Sequence, residues 1–186
     1  MEQAWPCENV VPGMAPMAPV LARTEETVVA VTGIRAYPAG FGFTLHLRLR
    51  DLHPRERREF WPFPELGRHC GPPWSDEVLR LTIGFADGRS VTNLDRQTVG
   101  SDGPDPDRPM LSSGPGTGGG GAPGWSFDMG YRVRPLPPPG PLAFICTWPG
   151  RGIPLSRVEV DGAAIRRAAD AAVTLWSDDP YCSDDC

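Results

Sequence analysis

An all-β fold is what this sequence predicts: an antiparallel two-sheet sandwich, immunoglobulin-like or jelly-roll-like, of about 7–8 strands, with one C-terminal helix. Three observations predict it. Apolar and polar side chains alternate strictly in Gly42–Arg50, Val78–Phe85 and Trp125–Val133. Turn-forming Asp-Gly, Pro and Gly clusters separate the extended runs. A single stretch, Asp161–Trp176, switches to the helical period. Alternation turns one face of a strand inward and the other to water. Many such strands with turns between them build two packed layers.

The elements follow in order. Residues 1–17 contain Pro6, Pro12, Gly13 and Pro16, which interrupt regular structure, and read as a mobile N-terminal segment. One sandwich domain is expected over 18–176. Val20–Arg23 is a short first strand, and the β-branched run Thr27–Tyr37 is a second. In Gly42–Arg50, Phe43, Leu45, Leu47 and Leu49 alternate with Thr44, His46, Arg48 and Arg50. That pattern belongs to a sheet with one wet face. Asp51–Trp74 reads as a long loop, with the charged run Arg55–Arg58 and several prolines. In Val78–Phe85, Leu79, Leu81, Ile83 and Phe85 share a face. Asp87-Gly88 then marks a hairpin, because glycine accepts the positive φ of a tight turn.

Residues 98–124, rich in Gly and Pro, read as a flexible insertion between strands. Trp125, Phe127, Met129, Tyr131 and Val133 share the inward side of the next strand. Pro141–Trp148 is apolar on both faces and suits a central strand, and Ser156–Val160 is the last. Asp161 is a good N-cap for a helix over 162–175, with Ile165, Ala168, Ala172 and Leu175/Trp176 on one stripe. Residues 177–186 form an acidic, cysteine-containing tail.

Net charge is −5 over 186 residues, and four aspartates lie in the last ten. The remainder is close to neutral, so it has no excess of cations to neutralise phosphates, and nucleic acid is set aside as a partner. No apolar run approaches the roughly 20 residues that span a bilayer. The proline-interrupted start does not read as a signal peptide. A membrane partner is therefore set aside too, and the expected setting is the cytoplasm. Five cysteines without a repeated spacing fit a reducing compartment. All 18 basic residues are arginine, a bias that points to GC-rich coding.

Few motifs suggest chemistry. Arg132-x-x-Pro135-x-x-Pro138 has the shape of a polyproline ligand. Yet Val133 ends one strand and Leu142 begins another, so the run reads as a stiff corner. Gly114–Gly124 is no phosphate cradle, since such a loop needs a lysine and a following helix. His69–Cys70, Cys182-x-x-x-Cys186 and the trio Asp102, Asp105 and Asp107 lack the spacings of metal sites. No cofactor, metal site or catalytic residue is assigned. Two features rise above this background. Phe60, Trp61, Phe63 and Trp74 place aromatics in the long loop, where rigid rings could contact a ligand or partner. Cys182 and Cys186 flank aspartates in the tail, where they could be modified or hold a soft metal.

The stretches "RAYPAGFGFTLHLRLR", "FADGRSVTNL" and "RPLPPPGPLAFICTWPGRGIP", with the alanine-rich helix ending in "LW", carry a resemblance. Over roughly residues 18–177 the chain resembles an uncharacterised family of high-GC Gram-positive (actinobacterial) bacteria. The resemblance implies no activity and brings no catalytic residue with it. Relatives tend to carry a tryptophan where this chain has Arg134, and they do not share the Asp/Cys ending.

The expected function is a non-enzymatic binding or scaffold role. The partner, a protein or a small ligand, would be met by the loops 51–74 and 98–124 through Phe60, Trp61, Phe63 and Trp74. One alternative is a carrier or precursor modified at Cys182 and Cys186. The other is a hydrolase assembled from residues distant in sequence.

Overall fold

The structure is a computed structural model that describes residues 9–50, 63, 75–95, 108–121 and 124–176. Its strands, in chain order, are β1 (Val10–Val11), β2 (Gly13–Met14), β3 (Val20–Arg23), β4 (Thr27–Tyr37), β5 (Gly40–Arg50), β6 (Arg80–Gly84), β7 (Ser90–Thr92), β8 (Met110–Gly121), β9 (Gly124–Arg134), β10 (Pro141–Trp148), β11 (Ile153–Asp161) and β12 (Val173–Thr174). The helix α1 spans Gly162–Asp170.

All described pairings are antiparallel. One sheet has the order β2-β4-β5-β9-β8, with β3 also on β4; the other has the order β11-β10-β6-β7. The chain enters the first sheet with β2–β5, crosses to the second for the hairpin β6–β7, and returns for β8–β9. It then crosses again for β10–β11.

The alternating stretches form strands because their apolar sides meet between the sheets. Phe43, Leu45, Leu47, Leu81, Ile83, Met129 and Phe144 are all fully buried. Phe43 stacks on Tyr131, its β9 neighbour, at 5.5 Å, and meets Phe144 of the opposite sheet edge-on at 5.3 Å. That contact pins the two layers together.

The β6–β7 hairpin carries the expected glycine: Gly88 has φ 89°. Its turn is closed by Gly88 N donating to Phe85 O at 3.1 Å and Phe85 N donating to Arg89 O at 2.8 Å. Arg89 Nε donates to the Asp87 carboxylate at 2.7 Å, and this bond holds the Asp87 carboxyl below its ordinary value. Past β7, Asn93 extends the ladder with its side chain. Its amide donates to Leu79 O at 3.0 Å, and its Oδ1 accepts from Leu81 N at 2.9 Å.

The proline run is a corner. It carries the chain from β9 in one sheet to β10 in the other, and α1 starts on it. Gly162 N donates to Gly140 O at 3.0 Å, and Arg166 donates to Pro137 O at 3.1 Å. Asp161 caps α1 as expected, its carboxylate accepting from Ala163 N at 2.9 Å. Ile165, Ala168 and Ala169 enter the core, where α1 lies against β2 and β4 and reaches β10.

Three expectations need correction. Residues 9–17 are not a loose end. Val10–Val11 pairs with Val173–Thr174, Gly13–Met14 pairs with the end of β4, and Ala15 is buried. Prolines prevent a helix there but do not prevent short edge pairing. The helix stops at Asp170 rather than running to 175. Its end tightens through Ala171 N to Ala168 O (3.1 Å) and Ala172 N to Ala169 O (3.0 Å). The chain then extends into β12, and Leu175 and Trp176 leave the apolar stripe for solvent, at 46% and 64% exposure. Asn9 holds that exit by donating to Trp176 O at 2.7 Å and accepting from Trp176 N at 2.9 Å.

The third correction concerns the insertion 98–124. Within it, Met110–Gly121 is a twelve-residue edge strand on β9. Its glycines leave room for the side chains of β9. A Cβ on Gly118 would lie 2.5 Å from the Phe127 ring, and one on Gly116 would lie 2.9 Å from the Met129 methyl. The large residues of β9 thus spread over the bare backbone of β8 and cover it.

Candidate functional site

The outer face of the sheet β4-β5-β9-β8 carries the candidate site. Register builds it row by row. Arg35, Gly42, Arg132 and Ser112 lie abreast across four strands. Next come Thr32, Thr44 and Gly130, then Ala30, His46, Asp128 and Thr117. These positions point outward because their neighbours Phe43, Leu45, Met129 and Val133 point inward.

Gly42, Gly114 and Gly130 leave the middle of this face without side chains, and a bulge between Ser113 and Gly116 lifts Pro115 at its rim. The result is a groove of ≈ 330 Å³, with Arg35, Tyr37, Thr44, Thr117, Asp128 and Arg132 on its walls. That volume falls at the lower end of the range, about 300–1,000 Å³, that holds small ligands. The glycines are in close contact with neighbouring backbone: a Cβ on Gly130 would sit 3.3 Å from Pro115 O, and one on Gly42 would sit 3.2 Å from Tyr131 O.

Charge is distributed unevenly. β4, β5, β8 and β9 together contain five arginines, one histidine and a single acid, Asp128. All five arginines, Arg35, Arg48, Arg50, Arg132 and Arg134, occupy outward positions. The one acid pairs with the one histidine: His46 Nδ1 meets the Asp128 carboxylate directly across the β5–β9 ladder. Toward Arg35 the groove is cationic; toward Asp128 it offers a carboxylate and two threonine hydroxyls. Gly42 and His46 are four residues apart on one strand, so the two ends lie about 13 Å from each other. The imidazole makes no hydrogen bond to a hydroxyl among the described residues, so no nucleophile–base pair is assembled here.

Of the residues singled out from sequence, the structure places one, Phe63, and it does not line the groove. Phe63 is only 1% exposed and belongs to the core cluster, so it is corrected from a ligand anchor to a packing residue. A large apolar ring gains more from burial than from contact with solvent. Phe60, Trp61, Trp74, Cys182 and Cys186 lie outside the described residues. Sequence alone does not single out the groove residues, because a polar outer face is the ordinary wet side of a sheet. The sequence signal was present in Thr44, Asp128, Gly130 and Arg132, at the polar positions of two alternating strands.

Cys146 of β10 is a buried free thiol facing the core, and burial pushes its pKa up to about 11. It is expected to resist alkylation in the native protein and to react once the chain is unfolded, as peptide mass mapping would read. Its pKa is raised by folding from 9.0, so its contribution to stability is complete below pH 9. That contribution falls away as the pH rises toward 11.

A smaller hollow of ≈ 220 Å³ lies where β3 meets β11, beside Arg23 and Leu155. Among the described residues, no group of three or more His, Cys, Asp or Glu could hold a metal ion, and no helix is long and apolar enough to cross a membrane. No family model, curated protein or solved structure matches this chain.

Proposed function

We propose that the protein is a binding module whose ligand, a small molecule, seats in the groove on the outer face of β4-β5-β9-β8. The observation that carries this reading is the groove itself. Its glycine floor, arginine wall and opposed hydroxyl and carboxylate groups come together on a rigid ladder, where side chains are held in fixed relation. A sheet built only to face water needs no such hollow. In this reading the ligand meets the sheet face, and the end loops are not required for contact. The cytoplasm is the proposed setting, which fits five cysteines of which one, Cys146, is a buried free thiol. Membership in the actinobacterial family resembled above belongs to the same proposal.

A thermal-shift screen with a small-molecule library tests it. Compounds that raise the melting temperature of the natural protein should lose that effect in Thr117→Trp, whose bulky uncharged side chain would fill the groove from an exposed position. Hits that stabilise both proteins equally would place binding elsewhere and refute the reading.

A further inference from the structure

We infer that the groove takes an oxyanion, a phosphate or carboxylate group on a small molecule, held between Arg35 and Arg132. This rests on the binding reading above and adds the chemical class of the ligand. Arg35 and Arg132 stand abreast with Gly42 between them, one strand spacing to either side. Two spacings set their backbones about 10 Å apart. Side chains as long as arginine can reach an anion over the bare glycine from either side, where a side chain on the central strand would obstruct them. Each guanidinium offers a planar fork of donors that matches the oxygens of a carboxylate or phosphate. Both line the same groove, and Arg35 is exposed.

The surrounding charge favours the same sign. Arg48, Arg50 and Arg134 extend the cationic face, and its one acid, Asp128, is engaged by His46. A protein of net charge −5 thus presents a face that attracts anions locally. At the far end, Thr44, Thr117 and Asp128 offer hydrogen-bond partners to hydroxyl or amine groups. The ligand is accordingly a small molecule with an anionic head and a polar tail that spans no more than about 13 Å.

Amide NMR spectroscopy of the full chain tests this with inorganic phosphate and acetate as separate probes. Saturable shifts are expected at Gly42, Thr44 and Gly130, and comparing the two titrations tells which anion the site prefers. Arg35→Gln should weaken the preferred anion about tenfold or more, since bonds to a charged group are the stronger ones. Arg157→Gln, in the other sheet and paired with Glu159 at 2.8 Å, should leave it unchanged. Equal weakening by both variants would mean diffuse charge attraction and overturn the site. Absence of saturable shifts with either anion, while a neutral library compound still perturbs those amides, would overturn the oxyanion and leave the binding reading standing. If nothing of any charge perturbs them, both fall.

Discussion

Phe43→Ala is expected to lower the stability of the protein by about 3–5 kcal/mol. Phe43 has no exposed surface, and its ring touches both layers: Tyr131 at 5.5 Å in its own sheet and Phe144 at 5.3 Å in the other. Removing it discards the transfer energy of the ring and leaves a cavity between two sheets whose ladders hold them in place. A small domain has about 5–15 kcal/mol of net stability, so the loss is a large share of the total. The midpoint of urea unfolding reads it directly. Thr44→Ala, one residue along and on the outer face, supplies the contrast, with an expected change within about 0.5 kcal/mol. If the two variants unfold at similar urea concentrations, Phe43 does not join the layers.

The second large effect is expected at Gly13. A Cβ built there would lie 1.7 Å from the carbonyl oxygen of Ala168, a backbone atom of α1 that cannot swing aside. Gly13→Ala must therefore move the helix or β2. The cost is expected at or above the upper end of the overpacking range, about 1–3 kcal/mol. Hydrogen exchange should quicken at Ile165 and Ala169, the residues α1 buries, before it quickens at Leu45 or Met129. Gly119→Ala is the control, because nothing lies within 4 Å of the added Cβ. There the substitution should be neutral or stabilise by up to about 1 kcal/mol, through the entropy of the unfolded chain. Unchanged melting of the Gly13 variant would mean that α1 does not rest on β2.

Both effects depend on residues of different legibility. Phe43 could be read in advance, because its burial follows from the period of its own strand. So could the hairpin glycine Gly88, the cap Asp161 and the corner at Pro135–Pro139, each a local rule acting over a few residues. Gly13 could not. It lies in a proline-rich segment, and its constraint comes from a helix about 150 residues further along the chain. β8 was hidden for a related reason. A glycine tract has no side chains from which a strand could be inferred, and Phe127 and Met129 of β9 supply the cover it lacks.

The candidate site divides the same way. Its polar residues were visible as outward positions of alternating strands, yet nothing in one strand says which outward residues stand abreast. Summing charge over the chain concealed the cationic face, because acids and arginines far apart in sequence cancel in a total and not in space. An aromatic cluster is conspicuous in sequence whether its rings meet a ligand or the core, and its one described member, Phe63, turns inward.

By itself the sequence determined the class of fold, the inward residues of its alternating strands, one hairpin turn and the start of the helix. These are short-range consequences of side-chain period and backbone preference. Only the tertiary structure decided that the glycine tract is a strand, that Val10–Val11 pairs with Val173–Thr174, and that Arg35 and Arg132 face one groove. Register and layer packing are interactions between distant segments, and their energies exist only once those segments meet.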